Sequence, residues 1–402
     1  LLLTCILAAG PALGPAALCD FAMAAGEPPT VLAGGQAGPR LSADAAVLYD
    51  LDSRQVLVDK RAFVSMAPAS TTKILTCLVV LENASLDEIV EVTPNAARVS
   101  GARIGIRAGQ RITVEELLYG LMLHSGNDAA IALAEHVGGS VSGFAELMNA
   151  RARQLGALAT NFVNPHGLTA PGHRTTALDL AIIAAAALEH PQFRELVSCR
   201  EREIGSLDPA WTKLVRNTNQ LLWSYEGADG IKTGTTREAG LCLVASATRE
   251  GRRLVAVVLH SGDRWGDGAR LLSHGFESTA LTVLGRQGEV ALAISVRDPV
   301  APFWWRAPVY VPLKLRFGRT LAYAAPGPEQ PRLEVTYSIA DELTLPVGAG
   351  QVVGVALAHH EGRLVASVPL VVAEAVPQGV LYAAGSALLG RVARWFLQQG
   401  LR

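Results

Sequence analysis

Lysine is scarce in this chain, with five among 402 residues against thirty arginines. Surface cations are therefore supplied mostly by arginine. A lysine kept beside so much arginine offers what a guanidinium lacks, the loss of a proton near neutral pH. Charge of either sign is sparse as well: charged residues make up 18% and the formal net charge is −1. That balance has none of the basic footprint of a nucleic-acid binder, so no nucleic-acid partner is expected. Half the residues are apolar, which excludes wholesale disorder and supplies a sizeable core. Cysteine is limited to Cys5, Cys19, Cys77, Cys199 and Cys242, without CxxC or Cys/His spacing, so neither a metal site nor a disulfide framework is expected. Cys77 and Cys242 fall in apolar runs and read as small core residues. No cofactor is called for.

The N-terminus reads as an export signal over residues 1–24. Leu1 to Ala9 is apolar, Pro11 to Ala17 is small and loop-forming, and Ala22-Met23-Ala24 offers a small-x-small cleavage site. The usual methionine and basic segment are missing, so a start upstream of Leu1 is expected. Cleavage would remove Cys5, Cys19 and Asp20, bringing the net charge from −1 to zero.

At this length two folded units with appendages are expected. Ala45 to Tyr49 and Gln55 to Asp59 flank a turn and read as a hairpin. A helical run follows from Ser70 to about Glu82. Thr113-Val114-Glu115-Glu116 has capping-box spacing and opens a helix that reaches Ser125-Gly126, where Asn127 starts another. Further helices are expected near Gly143 to Leu155 and Ala177 to Leu188. Strands follow at Ile231 to Thr235, Leu241 to Thr248 and Leu254 to His260, the last two joined at Glu250-Gly251. A strand pair, a helical insertion and an antiparallel strand set make an α+β catalytic unit over 40–278, its sheet flanked by helices. Past residue 285 only strand-like alternation appears, with a turn at Glu361-Gly362 and a loop at Pro326 to Pro331. A small all-β domain over 286–375 is expected.

The last segment, 377–402, reads as an amphipathic helix with Leu381, Leu388, Trp395 and Phe396 on one face and only arginines as charges. Its apolar stretch before Arg391 is too short to span a bilayer. It suits a membrane interface, or packing on the β domain.

Three short motifs carry the chemistry. Ser70-Thr71-Thr72-Lys73 places an amine three residues from a hydroxyl, on one helix face. Average usage supplies roughly one such match by chance in a chain this long, so alone it decides nothing. Ser125-Gly126-Asn127 sits at a helix junction, where all three residue types are common. Lys232-Thr233-Gly234 opens a strand, and with five lysines in the chain it is the rarest match. Together, in this order and in helix, loop and strand contexts, they form a set too specific for chance, with the Lys73 amine in reach of the Ser70 hydroxyl.

The trio resembles the serine penicillin-recognising enzymes. Asp229-Gly230-Ile231-Lys232-Thr233-Gly234-Thr235, Asn127-Asp128-Ala129-Ala130 and Asn164-Pro165-His166-Gly167-Leu168 resemble the D-alanyl-D-alanine carboxypeptidases among the low-molecular-mass penicillin-binding proteins. The resemblance covers nearly the whole mature chain, since that family commonly adds a β-rich second domain and a C-terminal amphipathic anchor. It implies a β-lactamase/transpeptidase-like fold and acyl transfer on peptidoglycan stem peptides ending in D-Ala-D-Ala, with β-lactams as inhibitors. It also implies an exported enzyme at the outer face of the cytoplasmic membrane, held to the membrane surface by its last helix.

In the roles so implied, Ser70 attacks, Lys73 accepts its proton, and Ser125 relays a proton to the leaving amine with Lys232. Asn127 orients the substrate amide, and Lys232 with Thr233 binds the terminal carboxylate. Backbone N–H groups of Ser70 and Thr235 form an oxyanion hole, and Gly234 keeps the strand edge clear. Some members carry an arginine in the Asn-x-Asn segment before this strand. Here it is Thr218, leaving Arg216 or Arg264 as substitutes. His124 and His166 read as structural. Two alternatives stand beside this reading: a β-lactamase, which needs a deacylating carboxylate among Glu135, Glu146, Glu189, Glu195, Glu201, Glu203 and Glu226, and a catalytically silent wall-binding protein.

Overall fold

The computed structural model describes residues 30–31, 38–208, 210–300, 308–341 and 343–379. The segment expected to be an export signal, 1–24, and residues 380–402 of the expected amphipathic helix lie outside them. Two compact units divide at Ala280/Leu281, with Pro326–Glu329 joining the first.

The first unit is built on a six-stranded sheet in the order Thr30–Val31, Gln55–Lys60, Ala45–Asp50, Arg252–Ser261, Gly240–Arg249, Ala228–Thr236. Its first pair is parallel and the rest are antiparallel. Ala45 to Tyr49 and Leu254 to Leu259 are buried without a break, as strands covered on both faces must be. The hairpin at Glu250-Gly251 turns through positive φ at both residues, 50° and 80°. The strand Ala228–Thr236, which carries Lys232-Thr233-Gly234, ends the strand order and forms the sheet's edge.

Helix Lys73–Asn83 runs through the core, with Lys73 to Val80 all buried. A helix apolar nearly all round belongs inside, and it packs against the helices Val114–Met122, Asn127–Gly138, Val141–Gln154 and Ala177–Glu189. Thr113 caps its helix as expected, its hydroxyl accepting from the Glu116 N–H at 3.3 Å. That helix stops at Met122, three residues short of the expected junction. The run expected to be helical from Ser70 begins instead as a 3₁₀ turn, Ala69–Thr72. The Thr71 and Thr72 hydroxyls donate to the carbonyls of Pro68 and Ala69 at 2.7 and 2.9 Å, which tightens the first turn.

The second unit is all β. Five antiparallel strands run in the order Val290–Asp298, Val309–Phe317, Arg363–Val372, Val352–His360, Glu334–Ile339, beside a pair formed by Thr279–Gly285 and Leu321–Pro326. Leu313, Leu315, Phe317, Leu321, Ala356 and Leu370 form its core. Among the described residues no helix is long and apolar enough to cross a membrane.

Candidate active site

Ser70 lies in the 3₁₀ turn and is partly exposed, while Lys73 opens the following α-helix fully buried. The Lys73 Nζ donates to Ser70 Oγ at 3.0 Å, to Asn127 Oδ1 at 2.8 Å and to the His166 carbonyl at 2.7 Å. Burial, then the charge of Lys232, hold the Lys73 pKa well below that of a free lysine, against an upward pull from Asp128. Such an amine loses its proton more readily than a free lysine, and once neutral it keeps two N–H donors and can accept the Ser70 proton.

The turn that presents Ser70 is propped from behind. Ala69 sits at φ 49°, in the left-handed region that costs a non-glycine residue energy. Thr72 Oγ1 donates to the Ala69 carbonyl and lies 2.9 Å from His173 Nε2. His173 Nδ1 accepts from the Val163 N–H, which leaves Nε2 to donate to Thr72. His173 stacks on Phe162, and burial followed by Lys73 pushes its pKa down to about 4. His166, lowered to about 3 by burial, Lys73 and His173, is neutral and accepts the Leu168 N–H. The reading of His166 as structural agrees with this geometry. His173 was not singled out by sequence, because its role depends on a stacking partner and a hydroxyl far away in the chain.

Ser125 is buried and lies at φ 64°. Gly126 follows because a Cβ there would stand 2.9 Å from Asp128 Oδ1 and 3.1 Å from Ile104 Cγ2. The Asp128 carboxylate accepts from the backbone N–H groups of Ile104, Gly105 and Ile106, fixing the loop that walls this side. Asn127 is already engaged, since its Oδ1 serves Lys73 and its Nδ2 donates to the Ser100 carbonyl at 2.8 Å.

On the edge strand Lys232 is buried, its Nζ donating to the Thr233 carbonyl at 3.3 Å. Burial, then the Arg264 guanidinium, lower its pKa to about 7. The sequence assigned Gly234 to keeping the strand edge clear. The structure adds a steric reason: a Cβ on Gly234 would stand 3.0 Å from the Pro68 carbonyl and 3.1 Å from the Ser70 N. The glycine lets the strand close onto the turn that carries Ser70. Thr235 is exposed, and its Oγ1 accepts from Arg264 Nη1 at 2.8 Å, while the same Nη1 reaches the Gly234 carbonyl at 2.9 Å. Arg264 is thus brought to the site, whereas Arg216 lies 5.0 Å over the Trp223 ring. Thr218 Oγ1 meets Thr233 Oγ1 at 2.7 Å. Asp229, quoted only as part of a motif, accepts from Ser246, Thr248 and Arg253 and ties the start of the strand to its neighbours.

Two of the carboxylates weighed for a β-lactamase are spent elsewhere. Glu135 accepts from Thr93 and Asn95, and Glu195 from the Tyr119 hydroxyl. Cys77 and Cys242 are buried thiols, as expected.

The model of the family described as D-alanyl-D-alanine carboxypeptidase matches residues 33–262. The chain is 34% identical over 394 residues to the D-alanyl-D-alanine carboxypeptidase DacC of Escherichia coli, covering 92% of each chain. It is 30% identical over 341 residues to DacF of Bacillus subtilis, covering 83% of this chain and 85% of that one. Among solved structures, penicillin binding protein 5 from Haemophilus influenzae superposes with a TM-score of 0.70 at 29% identity, over 86% of this chain and 100% of that one. A serine in contact with a buried lysine beside a lysine-bearing sheet edge, on a chain so matched, places this protein in the D-alanyl-D-alanine carboxypeptidase family.

Proposed function

We propose that this protein removes the terminal D-alanine from peptidoglycan stem peptides ending in D-Ala-D-Ala, through an acyl-enzyme on Ser70. The observation that carries the reading is the contact of 3.0 Å between Ser70 Oγ and a buried Lys73 amine whose pKa is held low. Ser70 Oγ attacks the carbonyl between the two D-alanines as its proton passes to Lys73 Nζ. The oxyanion is held by the N–H groups of Ser70 and Thr235, each such donor being worth roughly 3 kcal/mol of barrier. The C–N bond then breaks. The proton held by Lys73 passes through Ser125, assisted by Lys232, to the departing amine, so D-alanine leaves and Lys73 is neutral again. Water attacks the remaining ester as the neutral Lys73 takes its proton, and Lys73 returns that proton to Ser70 Oγ as the ester C–O bond breaks.

Lys232, Thr233 and Arg264 form the receptor for the substrate's terminal carboxylate, and Asn127 orients its amide. Thr218, where some family members have arginine, leaves Arg264 as the nearby guanidinium, and its contacts to Gly234 and Thr235 support that role. The same receptor accepts the carboxylate of a β-lactam, which acylates Ser70. The enzyme acts outside the cytoplasm on cell-wall peptides. Residues 1–24 export it, 40–278 form its catalytic domain and 286–375 its β domain. The segment 377–402 lies on the outer face of the cytoplasmic membrane, as the Trp395 and Phe396 face with its arginines suits.

Incubation with a labelled penicillin, followed by intact-mass measurement, gives one adduct that is absent from Ser70→Ala. Diacetyl-Lys-D-Ala-D-Ala releases free D-alanine. No adduct on the wild type, or an equal adduct on Ser70→Ala, defeats the proposal. Rapid multiple turnover of penicillin would reassign the protein as a β-lactamase.

A further inference from the structure

We infer that Thr218 is a positioning residue for substrate recognition: its hydroxyl orients the Thr233 hydroxyl toward the anionic C-terminus of the peptide. This rests on the carboxypeptidase reading above.

The segment carrying Thr218 is anchored without its hydroxyl. Asn217 donates from Nδ2 to the carbonyls of Val197 and Cys199 at 3.2 and 3.0 Å, and its N–H donates to the Arg200 carbonyl at 2.8 Å. Asn219 donates from Nδ2 to the Gly230 carbonyl at 2.7 Å, and its own N–H is held by Asn217 Oδ1 at 2.9 Å. Both asparagines are buried, whereas Thr218 between them is exposed. The Thr218 N–H donates to the Leu123 carbonyl at 3.2 Å, two residues before Ser125, while its hydroxyl meets Thr233 on the opposite strand at 2.7 Å. One residue therefore links the chain leading to Ser125 with the strand carrying Lys232.

Each hydroxyl has one proton and two acceptor lone pairs. Joined to each other, the two threonines use one proton between them and keep one to offer. Either atom can be the donor in the free protein. An anion near Lys232 fixes the direction. Thr218 then donates to Thr233 Oγ1, and the Thr233 proton is left for the carboxylate. Donation into Thr233 also polarises its O–H, strengthening the outgoing bond. Thr218 need not touch substrate to do this. Its loss weakens binding of the anionic terminus while the distance between Ser70 and Lys73 is untouched.

The test is a double-mutant cycle on the full chain with diacetyl-Lys-D-Ala-D-Ala. Thr218→Val removes the hydroxyl at nearly constant shape, and Thr218→Ser keeps it. We expect Thr218→Val to raise KM roughly five- to thirtyfold, the factor that corresponds to about 1–2 kcal/mol, with kcat held within about threefold. Thr218→Ser should stay within about threefold of wild type in KM. Adding Thr218→Val to Thr233→Val should change KM no further, since the first hydroxyl acts through the second. Melting temperatures of Thr218→Val and wild type should agree, because the asparagines hold the segment. Additive KM effects, an unchanged KM in Thr218→Val, or a loss in kcat accompanied by a lower melting temperature would overturn the inference. A wild type that neither releases D-alanine nor takes up penicillin would instead remove the carboxypeptidase reading, and this inference with it.

Discussion

Gly167 lies directly against the carbonyl of Ala69, with no room for a side chain between them: a Cβ on Gly167 would collide with the Ala69 oxygen and its carbonyl carbon, and come within 2.8 Å of Thr72 Oγ1. Gly167 also sits at φ 84°, which an L side chain rarely adopts. The loop that supplies the His166 carbonyl to Lys73 is thereby pressed against the turn that presents Ser70. Gly167→Ala must push the turn away or distort the loop. It should destabilise the fold by about 2 kcal/mol or more and slow acylation far more than the stability loss explains. Urea unfolding and penicillin acylation kinetics on the same sample check both.

Lys73 is the second point of test. Lys73→Arg keeps a cation but cannot supply a neutral base, and its planar guanidinium does not fit the contacts to Ser70, Asn127 and His166. Acylation should fall by roughly two to four orders of magnitude, the range of a lost general base. Stopped-flow quenching with a fluorescent penicillin measures this. A variant retaining a tenth of wild-type rate would remove Lys73 from the role.

The two lysines set opposite limbs of the pH profile. Falling pH protonates Lys73, whose pKa is held low by burial and by Lys232, and removes the base. Rising pH takes the proton from Lys232, whose pKa is about 7, and removes the charge that meets the substrate carboxylate. The basic limb of kcat/KM is expected near pH 7 in the free enzyme. The carboxylate stabilises protonated Lys232, so the corresponding limb in kcat lies at higher pH. Lys232→Arg, which does not lose its proton, should lose the basic limb even as its overall rate drops.

The chemistry of this fold was legible in sequence because it depends on short local spacings. Ser70 and Lys73 share a helix face by periodicity, and Lys232 to Thr235 fall in a strand bounded by glycines. What was not legible depends on distant partners. The helix Arg264–Ser278 went unread because Gly266, Gly268 and Gly275 lower its propensity. Yet Gly275 lies where a Cβ would meet Leu254 and Leu48, and Gly268 where it would meet Leu243, so the glycines serve close packing on the sheet. Sequence could therefore name Arg264 only alongside Arg216 as a substitute, whereas the helix brings it to Gly234 and Thr235. The hairpin of Glu201–Ser206 and Trp211–Arg216 was missed too, since its strands are half exposed and follow no clean alternation. His173 and the Thr218–Thr233 pair are visible only once chain segments far apart have been brought together.

Lys232 should also cost the protein stability, and in a way that pH reveals. Its folded-state pKa of about 7 lies below the value near 10.4 of a lysine in the unfolded chain. Between those values the unfolded state binds more protons than the folded one, so this residue's contribution to stability rises with pH across that window. Below pH 7 both states carry the charge, and the folded state bears the full penalty of burying it beside Arg264. Lys232→Met removes the ammonium from a buried position while nearly preserving its volume. The variant should therefore melt above wild type at pH 6, with an advantage that shrinks steadily toward pH 10, and it should lose most of its affinity for D-Ala-D-Ala peptides. Melting curves at pH 6, 8 and 10 decide it. A difference that does not change with pH would mean that Lys232 keeps an ordinary pKa in the folded protein and is solvated in a way its burial does not suggest.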